Sequence, residues 1–503
     1  MKKTIDRRIS VIQKPLLIGW LILVFIAIVF LSFHFFAITD DIEFASVIKN
    51  HLWDAKQIVT VHGVNGRYLG NTLGILLSYL DFTSFRIVKV LFDIIFMSAF
   101  FLIAAKTAAG EKSFLISFFF ISVCLLGSNA YHFYQFYGFS ADFSNYLLPL
   151  FLFLINYNIV KDTIQNGHQD KKRIAVICLI AFLNCLFVEH ITIYILVCSI
   201  GLLIYSVFNK KLLRTAVPLL LCTFLGTIFM FSYPLVYKDN SPYRESFFSE
   251  GFAWLFNNIF NNSLSYLFDN CFLVAFICIV LFFVLVRNTK GLWKLIGTIS
   301  ITLILMLSGL CSLCNYFGDW SNTPLSVLTD GRIIALLSVL FLGSIGIVLF
   351  FYLPKENRTI EMIILYGSIW FIAGMLSFVS PIAARTFMIT YVFLSILTTK
   401  IWLSVSEGTN VFRLLLSALC VAFCVPYGIL LCKSYHTAYK VEQMRIEAIE
   451  TQMELGAEEI TIPDHVNFAD SSGFSSLEKL YYYETPGDFH INLIPYAEWE
   501  EKQ

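Results

Sequence analysis

PLLIGWLILVFIAIVFLSFHFFAITDDIEFA, residues 15–45, decides the fold. From Pro15 to Ala37 it is a continuous apolar run, and about 20 such residues span a bilayer core as a helix. Lys2, Lys3, Arg7, Arg8 and Lys14 precede it, so the positive-inside rule puts the N-terminus in the cytoplasm. The run is too long for a signal-peptide core, and no small-residue cleavage site follows it, so it reads as an uncleaved anchor. It then gives way abruptly to Asp40, Asp41 and Glu43.

The whole chain has the composition of a bilayer protein. Of 503 residues 58% are hydrophobic and 14% charged, with 51 Phe and 24 Tyr, and the formal net charge is zero. Further apolar runs lie near 86–105, 113–128, 144–160, 174–189, 191–208, 215–236, 268–286, 295–314, 333–353, 359–379, 386–404 and 414–432. The expectation is an all-α polytopic membrane protein of about 13 transmembrane helices, within a range of 11–14. An odd number of crossings from a cytoplasmic N-terminus leaves the C-terminus extracytoplasmic. The loops agree with this threading. Those assigned inside carry Lys106, Lys112, Lys161, Lys171–Arg173, Lys210, Lys211, Arg214, Arg287, Lys290, Lys294, Lys355, Arg358, Lys400 and Arg413. Those assigned outside (38–85, 129–143, 237–267 and 315–332) are long, aromatic and poor in basic residues. The segment 68–80 reads either as a further span or as a helix at the surface.

From Lys433 the pattern becomes polar and helical, with Ala438, Val441, Ile446, Ile449 and Met453 on one face, and ITIPDHVNF then reads as a strand and turn. The division expected is a transmembrane domain over 1–432 and a small α+β extracytoplasmic domain over 433–503. The 12 cysteines lie in or beside the apolar runs, which argues against a disulfide framework. Cys311 and Cys314 form a C-x-x-C with no second pair nearby, and a structural role is expected for them.

Polar residues that lipid would penalise are the informative ones, and they gather on the side assigned outside. Asp40 with Glu43 three positions on matches a capping box. An ionised carboxylate at the same place can also serve as a general base for a hydroxyl proton. In HGVNGRYLGN, residues 62–71, Asn65-Gly66 marks a turn and Arg67 opens a helix. A guanidinium beside a helix N-terminus either binds a phosphate or carboxylate or pairs with a loop acid such as Asp40 or Asp41. FVEHITIY, residues 187–194, sets Glu189 and His190 between two spans with almost no loop to solvate them. Arg332 in TDGRII and Arg385 in SPIAARTF begin helices in the same way, with interfacial snorkelling as the simpler reading. Lys89 and Asp93 inside the second span are spaced as an i,i+4 pair. The aromatic segments 131–137 and 316–320 suit either an interfacial belt or sugar binding.

A first span followed by DDIEFA, then Trp53 and NGRYLG before the second span, resembles the bacterial GT-C membrane glycosyltransferases. The likeness is to the group of O-antigen-modifying, serotype-converting glucosyltransferases and their Gram-positive relatives. The later EH between spans, the Arg of AART and the tail helix followed by ITIP extend the resemblance over most of the chain as an arrangement of short motifs. It implies inverting transfer of a sugar from a polyprenyl-phosphate-linked donor to a surface glycan, teichoic acid or other wall polymer, on the outer face of the bacterial plasma membrane. It implies a base at Asp40 or Asp41 and donor-phosphate contacts at Arg67, Arg332 and Arg385. Substrate contacts would then fall on Glu43, Trp53, Asn65, Glu189 and His190. No metal-ligand spacing stands out. A divalent metal is compatible with the resemblance but not required by it, and the cofactor is left open. The partners expected are the lipid-linked donor, the glycan acceptor and membrane lipid, with no nucleic acid. Two other functions fit the class: a surface polysaccharide polymerase or ligase, for which the loop 237–267 offers only Arg244, and a lipid-linked sugar transporter or flippase. The latter calls for discontinuous or ionisable helices at mid-depth and for repeated halves, which the sequence does not display.

Overall fold

The computed structural model describes residues 2–37, 40–49, 67–109, 113–128, 130–167, 170–209, 212–232, 245–259, 264–317, 327–328, 330–377, 379–380, 384–406, 410–457, 459–464, 490–495 and 499. Trp53 and Asn65 lie outside the described residues, and of Asp40 and Glu43 only the backbone is described.

The chain is an all-α multi-pass membrane protein. Its long first helix, α1 (Lys2–His34), is followed by two short helices, α2 (Asp40–Lys49) and α3 (Tyr68–Asp81). Then come α4 (Arg86–Ala108), α5 (Phe114–Leu126), α6 (Leu148–Asn166), α7 (Lys171–Asn184), α8 (Glu189–Asn209) and α9 (Leu213–Phe231). The remainder comprises α10 (Phe247–Asn258), α11 (Cys271–Asn288), α12 (Leu292–Phe317), α13 (Gly331–Ile347), α14 (Ile360–Leu376), α15 (Met388–Val405) and α16 (Asn410–Glu454). A helix stands at every apolar run read from the sequence. Among the described residues 10 are long and apolar enough to cross a membrane. Helices α5, α7 and α14 fall short at 13, 14 and 17 residues, so length alone gives fewer crossings than the count of apolar runs.

Two compact units share the chain. One comprises Met1–Phe25, Phe100–Asn129 and Pro242–Tyr427; the other comprises Ile26–Ala99, Ala130–Ser241 and Gly428–Gln503. The first is organised around α15, 89% of whose apolar window is buried. Its Trp402 lies among aromatics of α5 and α11, where Phe120 stacks on Phe276 at 4.7 Å. Two polar side chains inside this unit show the local matching that apolar surroundings favour. Asn270 caps α11 by accepting from Leu273 N–H at 3.0 Å and donates to Cys124 C=O at 2.8 Å. Lys400 pairs with Glu361 at 3.0 Å.

The second unit holds the segment between α1 and α4 and the C-terminal tail. Helix α16 runs unbroken past residue 432, where the sequence suggested a domain boundary, because no Gly or Pro stops it until Gly456. Its polar half packs over the loop helix: Ile449, Ile460 and Ile462 close a core with Ala37, Ile42 and Ala45. Gln452 receives Thr461 N–H at 2.9 Å and donates to Thr461 C=O at 2.7 Å, fixing the strand Glu459–Pro463 beside the helix. That strand pairs in parallel with His490–Ile494. At the start of α4, Arg86 donates to Phe35 C=O at 2.7 Å and to the Tyr439 hydroxyl at 2.6 Å. One turn deeper the expected Lys89–Asp93 pair forms at 3.1 Å, and Asp81 joins it at 3.3 Å.

Candidate functional site

Two polar clusters of the second unit lie at opposite ends of α3. The first is built on a break in a helix. Between two π-helical turns, Tyr134–Gly138 and Phe143–Leu147, Phe139 is extended with φ −82° and ψ 111°. An extended residue interrupts the ladder, so the N–H groups that follow have no helical carbonyl behind them. Asp41 of α2 supplies the acceptors. Its Oδ2 takes Ser140 N–H and its Oδ1 takes Ala141 N–H, both at 2.8 Å, and Ser78 of α3 donates to Oδ1 at 3.1 Å. The capping box read from the sequence falls on Asp40 and Glu43, whose side chains lie outside what the structure describes, and Asp41 caps a segment about a hundred residues away.

Asp41 is 0% exposed. Burial pushes its carboxyl well above the usual carboxylate range, against the two N–H donors and Lys89, which favour the ion. A carboxyl this buried, with both oxygens already engaged by three donors, offers a substrate hydroxyl little room. Close backbone approach surrounds the cap. A methyl at Gly74 would come to 2.8 Å from Ser144 Oγ, and one at Gly138 to 2.8 Å from Phe35. Tyr134 donates to Phe36 C=O, tying the end of α1 to the same turn.

The second cluster lies at the N-terminus of α3. Arg67 meets Glu189 at 2.9 Å through Nη2 and 3.1 Å through Nε, both on Oε2. Its Nη1 faces the Tyr146 hydroxyl at 3.4 Å, and Tyr146 stacks on His190 at 5.9 Å with an interplanar angle of 22°. Glu189 holds the guanidinium in its charged form, outweighing burial. Leu69 N–H donates to Leu186 C=O at 3.0 Å, and Asn145, whose Nδ2 donates to Ala141 C=O at 2.8 Å, sits against Gly70. His190 Nε2 and Asn145 Oδ1 are buried with no hydrogen-bond partner among the described residues.

Helices α2 and α3 run antiparallel, since Asp41 meets Ser78 while Phe44 meets Gly74. Eleven residues of rise between Arg67 and Ser78 separate the clusters by about 16 Å. The structure thus brings Arg67, Glu189 and His190 together and keeps Asp41 apart from them. Arg332 and Arg385 belong to the other unit. Arg332 is exposed at the start of α13, with its own N–H accepted by Asp330 at 2.8 Å, and Arg385 is half-buried in a short 3-10 turn. Cys311 and Cys314 are buried in α12, and no group of three or more potential metal ligands assembles among the described residues.

Tyr146, Gly70 and Ser78 were not singled out from the sequence. A Gly or Ser one turn apart in an apolar helix carries little signal, and Tyr146 blends into an aromatic run. Comparison with known family models, curated proteins and solved structures gives no match.

Proposed function

We propose that the chain is an inverting, GT-C-type glycosyltransferase. It moves a sugar from a polyprenyl-phosphate-linked donor to a surface glycan or wall polymer at the outer face of the bacterial plasma membrane, with Asp40 as general base. The observation that carries this reading is the commitment of Asp41 to Ser140, Ala141 and Ser78, at the point where the acidic pair leaves α1. One acid of the pair fixes the loop helix, and the proton-accepting role is assigned to the other. The likeness of the DDIEFA and NGRYLG motifs to that superfamily supplies the reaction class.

In this reaction an acceptor hydroxyl attacks the anomeric carbon from the face opposite the phosphate. Asp40 takes the hydroxyl proton, and the bond to the phosphate oxygen breaks with its electron pair leaving on polyprenyl phosphate. The base and the leaving phosphate flank one carbon, so they lie within a few ångströms of it. Arg67 stands at the other end of α3 from the Asp41 cap, paired with Glu189. The resemblance assigns the phosphate contacts to basic residues, for which Arg67, Arg332 and Arg385 are the candidates. Glu189 and His190 are assigned to a more distant unit of an extended acceptor.

The helix break at Phe139 favours a transporter, whose substrates bind at half-helix ends. Its N–H groups are already taken by Asp41, which leaves that end closed to an anionic substrate. The test uses protein in nanodiscs with polyprenyl-phosphate hexoses and a surface-glycan extract, measuring release of polyprenyl phosphate and sugar gained by the glycan. Equal release and gain support the reading; donor movement across the bilayer without release would replace it by the transporter.

A further inference from the structure

The Asp41 contacts reach further than a helix cap. Residues 138–146 form one short, stiff segment of close approaches. One end accepts α2 through Asp41 at 2.8 Å; the other carries Asn145 and Tyr146, which bear on Gly70, Arg67 and His190. Helix α2 has only ten residues and is too short to hold its shape or place unaided. Apolar contacts also hold it: Phe44, Val47 and Ile48 pack on Ile75 and Ala141, and Ile42 and Ala45 pack under the tail. Apolar contacts fix depth but allow sliding and rotation. The forked pair of N–H bonds to one carboxylate is directional and sets both.

We propose that Asp41 is a positioning residue. By locking α2 onto the N–H groups of Ser140 and Ala141, it fixes the placement of the residue that acts as base relative to the Arg67–Glu189–His190 cluster. This rests on the glycosyltransferase reading for its catalytic consequence, while the anchor itself does not. Asp41→Asn is nearly isosteric but presents an NH2 to one of the two N–H donors. It therefore keeps the packing and loses one directional bond.

The test compares wild type, Asp41→Asn and Ser78→Ala in nanodiscs by steady-state transfer over pH and by amide exchange of residues 40–49 and 139–142. Asp41→Asn is expected to lower kcat by about tenfold to a hundredfold, the cost of a misplacement on the order of 1 Å. Donor KM and the acidic limb of the pH–rate profile should stay as in wild type, and exchange at Ser140, Ala141 and α2 should speed up. Ser78→Ala, which leaves the two N–H bonds in place, is expected to lose less than about fivefold. Transfer by Asp41→Asn at the wild-type rate would overturn the proposal. So would complete loss of transfer with normal exchange, which would make Asp41 the base. If the wild-type protein transfers no sugar, the glycosyltransferase reading fails on its own, and faster exchange in Asp41→Asn still establishes the anchor. Unchanged exchange would remove it. Should Asp41→Asn fail to fold, Ser140→Pro, which deletes one donor and leaves the carboxylate, gives the same readout with the same expected direction.

Discussion

Arg67 and Glu189 stand 122 residues apart in the chain and meet through two contacts on a single carboxylate oxygen, the shorter at 2.9 Å. The pair joins the start of α3 to the start of α8, two elements whose sequences give no hint of each other. Both side chains are more than four-fifths buried, at 15% and 18% exposure, so the pair is shielded from the screening that weakens surface ion pairs.

Glu189→Ala should therefore destabilise the protein by about 2–4 kcal/mol, because it leaves a guanidinium without its carboxylate in a largely dry place. The double variant Arg67→Ala/Glu189→Ala should lose clearly less than the sum of the two single changes. Denaturant unfolding of the four proteins in one detergent measures the coupling. Additive losses would mean that the contact carries no energy.

Gly70→Ala tests the close approach beside that pair. The new methyl would come to 2.1 Å from Asn145 Oδ1 and 3.2 Å from the Phe187 carbonyl, which is backbone and yields little. A cost of about 1–3 kcal/mol is expected, as for other overpacked sites. Thermal unfolding should place this variant well below Gly201→Ala, a helical position whose methyl would meet nothing within 4 Å.

Lys89 is 1% exposed and bridges Asp81 and Asp93. Lys89→Met removes the cation from between two carboxylates and should cost about 3–5 kcal/mol, or block insertion altogether. Lys89→Met/Asp93→Leu should recover a substantial part of that loss, because one orphaned charge goes with it. Yield of monodisperse protein and unfolding midpoint report both outcomes.

His132 gives the fold a sensitivity to acid. Burial pushes its imidazole down from 6.5 to about 4, so the unfolded chain takes up a proton at a pH where the folded chain does not. Its contribution is complete above pH 6.5, shrinks as the pH falls, and is gone near pH 4, for a total of no more than about 3 kcal/mol. Asp41, raised by burial, acts in the opposite sense and destabilises as the pH rises from its ordinary range. The difference between wild type and His132→Gln isolates the histidine. That difference should narrow between pH 7 and pH 4.5, and a constant difference would contradict the assignment.

The sequence was legible where the physics is local. Apolar runs located every long helix, and the spacing of Lys89 and Asp93 foretold their contact. The acid-rich exit from α1 marked the place of Asp41 but not its partner. Asp41 caps residues 140 and 141, and only the fold can bring a helix break and a carboxylate together over that distance. The break itself was hidden, because residues 129–143 read as an outer aromatic loop, with no sign of helical turns on either side of Phe139. Arg67 was read correctly as needing an anion, and which anion depended on packing between α3 and α8. Composition changes at Lys433, yet helix propensity carries α16 on to Glu454.

The most direct measurement is sugar transfer by Asp40→Asn beside Asp41→Asn and wild type, with donor binding measured separately. The account predicts that Asp40→Asn binds the polyprenyl-phosphate hexose as wild type does but transfers it at least about a thousandfold more slowly. Asp41→Asn should retain measurable transfer. Wild-type transfer by Asp40→Asn would contradict the assignment of the base and, with it, the reading of the acidic pair.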